Sequence, residues 1–283
     1  MADIRNAPIG VFDSGVGGLT ILKELLRELP DERFVYYGDT GNCPYGVRPI
    51  TEIQELSRNA VRFLLERSAK VIVVACNTAS VSALANLRET FEVPFVGVVP
   101  AIKPAATLTH SGHVGIAATE ASAHGDYLRQ LIADHANGVT VHAVGCPRLV
   151  LLAEKGILDG PEAEKAVRSY VDPMLTVGID VLVLGCTHFP AMRETFVRVV
   201  GPGVAVIDSG AAIARQTRRV LAEREWLGGE GNVASDSRAL TAADSLWCSG
   251  DIDQFARVAE AILGMPVGVR GAPEMVSPSS RAS

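Results

Sequence analysis

The stretch Val71-Ile-Val-Val-Ala-Cys-Asn-Thr78 is echoed in pattern by Val181-Leu-Val-Leu-Gly-Cys-Thr-His188. In both, an apolar run predicts a buried strand, and a small residue, a cysteine and polar residues follow it. A weaker echo sets Ile9-Gly-Val-Phe-Asp-Ser-Gly15 against Val204-Ala-Val-Ile-Asp-Ser-Gly210. The echoes predict two related halves, each with one cysteine at the carboxyl end of a central strand, where open α/β sheets bind ligands.

Short apolar runs alternate with longer segments of helical period along the chain. This alternation is typical of βα units around largely parallel sheets flanked by helices, so we predict the α/β class. A leucine stripe predicts a helix over 19–29, a capping box of Thr51 and Gln54 would open the next helix, and a late helix is predicted over 252–263. Strands are predicted at residues 9–12, 34–37, 70–75, 95–98, 114–117, 139–144, 181–184 and 204–207.

The composition excludes several classes of protein. The chain has 283 residues, 48% of them hydrophobic, which is enough for two globular domains of ordinary size. Residues 1–8 lack the apolar segment of a secretory signal, and no apolar run approaches the ~18 residues that a membrane span needs, so we expect a cytoplasmic protein without membrane contact. The net charge of −6 predicts no general attraction to nucleic acid. The five cysteines lack a CxxC spacing, which argues against a disulfide framework and a zinc ribbon.

The glycine-rich turn Asp13-Ser-Gly-Val-Gly-Gly18 follows the first predicted strand but does not fit a phosphate site. Thr20 occupies the third glycine position of GxGxxG, no Gly-Lys-Ser/Thr follows, and the Asp13 carboxylate would repel a phosphate. The glycines and the helix after them favour a carboxylate group instead. Asp13 is then either a proton partner for a neighbouring group or only a residue that caps a helix.

Cys76 and Cys186 are the candidates for acid–base chemistry. A single cysteine at a strand end is more often a small buried side chain, but two in matching contexts favour catalysis. Both precede predicted helix starts, where the helix dipole would lower the thiol pKa toward neutrality. Two opposed thiols suit an inversion, since one removes a proton from one face of a carbon and the other delivers a proton to the opposite face. Cys43, Cys146 and Cys248 have no such partner and are interpreted as structural.

The other polar candidates are weaker when each is taken alone. His188 lies two residues after Cys186 and is a candidate proton partner, whereas the remaining histidines lack metal-ligand spacing, so no metal is expected. Pattern alone makes Glu154 a solvent-facing acid on a short helix. The tyrosine of the turn Pro44-Tyr-Gly46 is either a lid or loop packing.

Several motifs of the sequence, taken together, carry a resemblance to a known family. They are Gly10-Val-Phe-Asp-Ser-Gly-Val-Gly-Gly-Leu-Thr20, Tyr37-Gly-Asp-Thr40 with Pro44-Tyr-Gly46, Ala75-Cys-Asn-Thr-Ala79 and Leu184-Gly-Cys-Thr-His-Phe-Pro190. They resemble the cofactor-independent glutamate racemases, and the similarity extends over residues 7–266. The resemblance implies that Cys76 and Cys186 are the two acid–base residues, with Asp13 assisting the first and His188 and Glu154 the second. It also implies a set of substrate-binding residues: Asp13, Ser14, Tyr45, Gly46, Asn77, Thr78, Thr119, Thr187 and His188.

For the fold, the resemblance implies two similar α/β domains related by a pseudo-twofold axis, with the active site in the cleft between them. We expect the first domain at residues 1–98 and 211–268, the second at 99–210, and a disordered tail rich in Pro, Ser and Gly at 269–283. For function, it implies interconversion of L- and D-glutamate without a cofactor, which supplies D-glutamate for peptidoglycan in a bacterial cytoplasm. Homodimers are common in the family, and the sequence identifies no interface.

Two other functions stay open on the sequence. An aspartate racemase of the same superfamily shares the two cysteines, although Ser80 and His188 resemble the glutamate branch more. A non-catalytic protein that binds an acidic amino acid or a partner protein would need neither thiol, so both cysteines together with Asp13 and His188 argue against it. A pyridoxal mechanism would need a lysine at a strand-end motif, and no lysine lies at one.

Overall fold

The structure is a computed structural model that describes residues 3–228 and 246–272. Its strands are β1 (Ile9–Asp13), β2 (Phe34–Gly38), β3 (Val71–Val74), β4 (Phe95–Gly97), β5 (His113–Ala118), β6 (Thr140–Gly145), β7 (Val181–Leu184), β8 (Ala205–Ile207), β9 (Leu246–Cys248) and β10 (Val269–Gly271). Its α-helices are α1 (Leu19–Glu28), α2 (Ile50–Leu65), α3 (Asn77–Thr90), α4 (Ile102–Leu108), α5 (Glu120–His124), α6 (Asp126–His135), α7 (Pro147–Glu154), α8 (Pro161–Thr176), α9 (Arg193–Val200), α10 (Gly210–Glu223) and α11 (Ile252–Leu263). The chain divides into two compact units, Met1–Val98 with Gly210–Ser283, and Val99–Ser209.

Each unit is built on its own parallel sheet. In the described part of the chain, the first sheet has the order β10-β9-β2-β1-β3-β4 and the second the order β6-β5-β7-β8. One core packs α7, α8 and α9 on the second sheet, and a separate core packs α4 and α6 on its other face. These parallel sheets with flanking helices confirm the predicted α/β class. No helix within residues 3–228 and 246–272 has both the length and the apolarity to cross a membrane.

The second sheet repeats the strand order of part of the first, since β2-β1-β3-β4 corresponds to β6-β5-β7-β8. β7 is therefore the counterpart of β3, which confirms the stronger of the two sequence echoes. The weaker echo is wrong as a structural repeat, because β8 corresponds to β4 and the counterpart of β1 is β5. Asp208, which follows β8, is bound at 2.8 Å by the half-exposed Arg193 and does not repeat the buried setting of Asp13.

The predicted strands are all present within one residue at each end, but the sequence predicted neither β9 nor β10. β10 corrects the expectation of a disordered tail from residue 269, because Val269–Gly271 pairs with Leu246–Cys248. Residues 273–283 of that expected tail lie outside the described residues. The predicted capping box is also wrong, since α2 begins at Ile50 after Pro49 and Thr51 lies inside its first turn.

Candidate active-site residues

Cys76 lies where β3 ends and α3 begins. The N–H of Ala75 donates to the carbonyl of Phe12 at 2.8 Å, which fixes the end of β3 beside the end of β1. Cys76 then caps α3, because its Sγ accepts a hydrogen bond from the N–H of Ala79 at 3.5 Å. The cysteine is only 4% exposed, so its thiol is held at the start of a helix and away from bulk water.

Ser14 links the Cys76 thiol to the Asp13 carboxylate. The thiol donates to Ser14 Oγ at 3.6 Å, and the Ser14 hydroxyl donates to Asp13 Oδ1 at 3.3 Å. The N–H of Gly15 donates to the same carboxylate oxygen at 2.6 Å, and Asp13 is fully buried. A thiol, a hydroxyl and a carboxylate thus form one hydrogen-bonded chain, which links Cys76 to Asp13 through Ser14.

Burial, and then the nearby Asp13 carboxylate, raise the pKa of the Cys76 thiol to about 12. The sequence predicted the opposite, a pKa lowered toward neutrality by the start of α3. Hydrogen bonds from the Ala79 N–H and from Ser14 do favour the thiolate, but the loss of solvent and a neighbouring negative charge outweigh them. Cys76 is therefore a neutral thiol near pH 7, which is the form that can donate a proton.

Cys186 occupies the corresponding place in the second unit, after β7. The N–H of Gly185 donates to the carbonyl of Ala117 at 2.7 Å, which repeats the bond that ties β3 to β1 in the first unit. The element after Cys186 differs from α3, because Phe189–Met192 form a 3-10 helix and α9 begins only at Arg193. The predicted α-helix start next to this thiol is therefore only a short 3-10 turn.

His188 connects Cys186 to Glu154. Its Nδ1 lies 3.5 Å from Cys186 Sγ, and its Nε2 lies 2.5 Å from Glu154 Oε1. The expectation that Glu154 faces solvent is wrong, since its side chain is only 16% exposed. Glu154 is the last residue of α7, and its carboxylate contacts the imidazole ring of His188. An imidazole between a thiol and a carboxylate can accept the thiol proton and leave a thiolate.

The two cysteine sites share a backbone frame but differ in chemistry. In the first unit the N–H of Asp39 donates to the Asp13 carbonyl at 2.9 Å, and in the second the N–H of Cys146 donates to the Ala118 carbonyl at 2.9 Å. Ala118 therefore occupies the position that corresponds to Asp13, and the carboxylate of the second site comes from Glu154 of α7 instead.

Cys146, which follows β6, is a further buried thiol near the second site. Burial, and then the neighbouring Cys186, raise the pKa of Cys146 to about 12.

Asp39 is a buried carboxylate to which the sequence analysis assigned no role. Its oxygens accept hydrogen bonds from the hydroxyls of Tyr45 at 2.7 Å, Ser249 at 2.7 Å and Tyr37 at 3.1 Å, and from the Asn42 amide at 3.1 Å. The Tyr45 hydroxyl, predicted to serve the substrate, is thus bonded to Asp39. An acid at the end of a predicted strand was the signal that could have found this residue.

The remaining predicted residues lie close in sequence to the same strand ends. Asn77 and Thr78 are buried in the first turn of α3, and Thr187 is buried beside Cys186. Thr119 caps α5 by accepting a hydrogen bond from the N–H of Ser122 at 3.3 Å. Gly46 is half-buried in the 3-10 helix Tyr45–Val47. The structure places Asp13, Ser14, Asn77 and Thr78 near Cys76. It places Glu154, Thr187 and His188 near Cys186. Contacts of these residues with a substrate stay predictions.

The fold and these paired sites agree with the comparison to known families. The family model for Asp/Glu/Hydantoin racemase matches residues 9–217. The chain therefore belongs to the Asp/Glu/hydantoin racemase family.

Similar proteins within that family include many glutamate racemases. The glutamate racemase of Herpetosiphon aurantiacus is 46% identical over 259 residues, covering 92% of this chain and 99% of the relative. The glutamate racemase of Pseudomonas putida strain KT2440 is 44% identical over 263 residues, covering 89% and 98%. The protein is accordingly an amino-acid racemase, an isomerase.

Solved structures give the same grouping. A glutamate racemase isoform from Bacillus anthracis superposes with a TM-score of 0.81 at 30% identity, covering 96% of this chain and 99% of that one. The Escherichia coli glutamate racemase, solved with L-glutamate and the activator UDP-MurNAc-ala, superposes with a TM-score of 0.80 at 35% identity, covering 94% and 98%. These relatives favour neither an aspartate racemase nor a non-catalytic binding protein.

Proposed function

We propose that this protein interconverts L- and D-glutamate by a two-base mechanism, in which one of Cys76 and Cys186 removes the Cα proton and the other delivers its own thiol proton to the opposite face of Cα. The observation that carries the proposal is that the two cysteines stand at equivalent strand ends of two like sheets, each with its own proton partner. The relatives support glutamate as the substrate. The Escherichia coli structure is described with L-glutamate, and that of Francisella tularensis, 28% identical with a TM-score of 0.79, with D-glutamate.

The unequal surroundings of the thiols support complementary starting roles. Cys186, whose proton His188 can accept, provides the thiolate that takes the Cα proton of one enantiomer. The carbanion left on Cα then takes the proton of the neutral Cys76 thiol on its opposite face, which gives the other enantiomer. The cycle leaves Cys186 as thiol and Cys76 as thiolate, and this is the form that turns over the product enantiomer in the reverse direction.

The weak acidity of Cα is the chemical difficulty, and hydrogen bonds to the substrate carboxylates reduce it. Donors that stabilise the carbanion as it forms, in a site poor in water, would supply much of the rate. The N–H groups that begin α3, at Asn77 and Thr78, suit a carboxylate. The family resemblance adds Ser14, Tyr45, Gly46, Thr119 and Thr187 to the binding set. This chemistry uses no cofactor, and by the same resemblance its product serves peptidoglycan synthesis in the cytoplasm.

The decisive experiment follows purified protein with L-glutamate in D2O, without added cofactor, by optical rotation and by the NMR signal of the Cα proton. We expect the rotation to decay to zero as deuterium enters Cα, and a parallel sample with L-aspartate to react far more slowly. Cys76→Ala and Cys186→Ala should each lose at least ~10²-fold in rate, because each removes an acid–base group. The control Cys248→Ala, which removes another buried free thiol, should retain activity. Racemisation at the wild-type rate in either of the first two variants would contradict the proposal.

A further inference from the structure

Tyr36 lies beneath the turn that carries Asp13 and Ser14. It belongs to β2, is fully buried, and packs its ring against Phe255 of α11 with 6.1 Å between the ring centroids. Its hydroxyl donates to the carbonyl of Gly15 at 2.7 Å. A tyrosine from a neighbouring strand thus bonds directly to the turn that follows β1.

This hydrogen bond continues the chain that ends at the Cys76 thiol. Gly15 is held on both sides, since its carbonyl accepts from Tyr36 and its N–H donates to Asp13 Oδ1 at 2.6 Å. The same Asp13 oxygen accepts from Ser14, which in turn accepts from the thiol. A shift of the Gly15 backbone would therefore move the groups that face the thiol.

The packing around this turn leaves it little freedom. A Cβ added at Gly38 would lie 3.0 Å from the Gly15 carbonyl oxygen and 2.7 Å from the Phe255 ring. A Cβ added at Gly18 would lie 2.9 Å from the Tyr36 hydroxyl. The distances of 2.7 and 2.9 Å are shorter than real Cβ contacts, and the distance of 3.0 Å is tighter than most of them, so the tyrosine and the turn fit each other without spare space.

We propose that Tyr36 is a positioning residue for the racemase reaction, which holds the Asp13–Ser14 turn in register with the Cys76 thiol. The inference rests on the proposed two-cysteine function. Tyr36 acts on the proton transfer at Cys76, because its hydrogen-bond chain reaches that thiol, whereas the partner of Cys186 is His188. Loss of the Tyr36 hydroxyl should therefore slow the proton transfer at Cys76 in both directions of the reaction. The two directions should differ in whether removal of the Cα proton limits the rate.

The test is Tyr36→Phe, which keeps the ring against Phe255 and removes the hydroxyl. We expect kcat to fall about tenfold with KM within about twofold, because a lost hydrogen bond in a positioning chain acts on the chemical step. With glutamate deuterated at Cα, the isotope effect on kcat/KM should rise for the enantiomer whose proton Cys76 removes. It should fall for the enantiomer whose proton Cys186 removes, because that removal then limits the rate less.

Two further variants separate positioning from loss of structure. Thr217→Val removes another fully buried hydroxyl of the same unit, which donates to the Ile213 carbonyl at 2.9 Å, and should change neither isotope effect. Phe255→Leu loosens the Tyr36 ring and should produce the opposed isotope effects more weakly, even if Tyr36→Phe folds poorly. Unchanged isotope effects, or equal changes for both enantiomers, would overturn the role of Tyr36. A wild-type protein that fails to racemise glutamate would instead overturn the proposed function.

Discussion

Glu154 holds the imidazole of His188 through a 2.5 Å hydrogen bond between Oε1 and Nε2, so that the other ring nitrogen faces the Cys186 thiol. The Cys76 site has a hydroxyl and a carboxylate in place of the imidazole. The two thiols therefore stand in unlike electrostatic surroundings, although they occupy like positions in the two sheets. Cys186 has a base beside it, whereas burial, and then the Asp13 carboxylate, raise the pKa of Cys76 and keep it protonated.

The first prediction concerns this imidazole. His188→Asn should lower kcat by ~10²-fold, since the proton acceptor of Cys186 is lost, whereas Glu154→Gln keeps a hydrogen-bonding group on the ring and should lower kcat by roughly tenfold or less. Steady-state rates for both enantiomers measure the effects. His113→Asn is the matched control, because His113 begins β5, lies 3.2 Å from His142 and has no part in the proposed chemistry. A His188→Asn variant as active as this control would show that the imidazole does not serve Cys186.

The second prediction concerns the space around the Asp13 turn. Gly18→Ala should abolish most activity, because the new Cβ would lie 2.6 Å from Asp13 Cβ and 3.0 Å from Ala75 Cβ. The backbone is not the obstacle, since φ of Gly18 is −62°, which alanine adopts readily. Gly203→Ala meets no atom within 4 Å and should leave the rate unchanged. Kinetics of both variants at matched folded fractions, checked by circular dichroism, decide between a local displacement and a general loss of structure.

The sequence predicts the fold well wherever an apolar run is long. Val71–Val74 and Val181–Leu184 are buried throughout, and their short continuous apolar runs identify them as strands. β9 and β10 escape prediction because Leu246–Cys248 and Val269–Gly271 lie outside longer apolar runs, in contrast to the equally short β4 and β8, and their pairing depends on distant parts of the chain. A short strand is stabilised by its neighbours in the sheet, and its own sequence carries little signal.

For the candidate site, the sequence identifies the functional residues better than it identifies their hydrogen-bond partners and their burial. Cys76 and Cys186 follow from the repeated pattern, but the partners of buried polar groups depend on strand register, which hides Asp39 and the contact of Glu154 with His188. The pKa of Cys76 was predicted in the wrong direction for the same reason. A helix start is visible in sequence, while burial and the approach of a carboxylate from another strand are tertiary effects.

The third prediction concerns alkaline stability. The pKa of Cys146 is about 12, above the ordinary thiol value of 9.0, so the folded protein keeps a proton that the unfolded chain loses between those values. The stabilisation is complete below pH 9 and disappears as the pH rises through the folded pKa. Cys146→Ala should therefore reduce the fall in Tm between pH 9 and pH 11. Val150→Ala, in the same core, should lower Tm by a similar amount at each pH, and an unchanged slope in Cys146→Ala would contradict the prediction.

The last prediction concerns the buried ion pair of Lys70 and Glu32, whose atoms lie 2.6 Å apart with side chains 0% and 2% exposed. Lys70 also donates to the carbonyls of Arg5 and Trp226, and Glu32 accepts from the N–H of Gly228, so the pair joins four segments of the first unit. Removing one partner leaves the other charge buried without an ion-pair partner. Lys70→Met and Glu32→Gln should therefore each lower the free energy of unfolding by about 3–5 kcal/mol.

Urea unfolding of the first unit measures this cost, and a surface pair supplies its control. Arg27→Ala breaks a pair with Glu24 on the surface of α1, in the same unit, and should cost about 0.5 kcal/mol or less. The double variant Lys70→Met with Glu32→Met buries no charge and should recover part of the lost stability. The recovery should be incomplete, because the carbonyls of Arg5 and Trp226 and the N–H of Gly228 lose their hydrogen bonds to the pair. Equal losses in the single variants and the surface control would mean that the pair contributes no more than a solvated one.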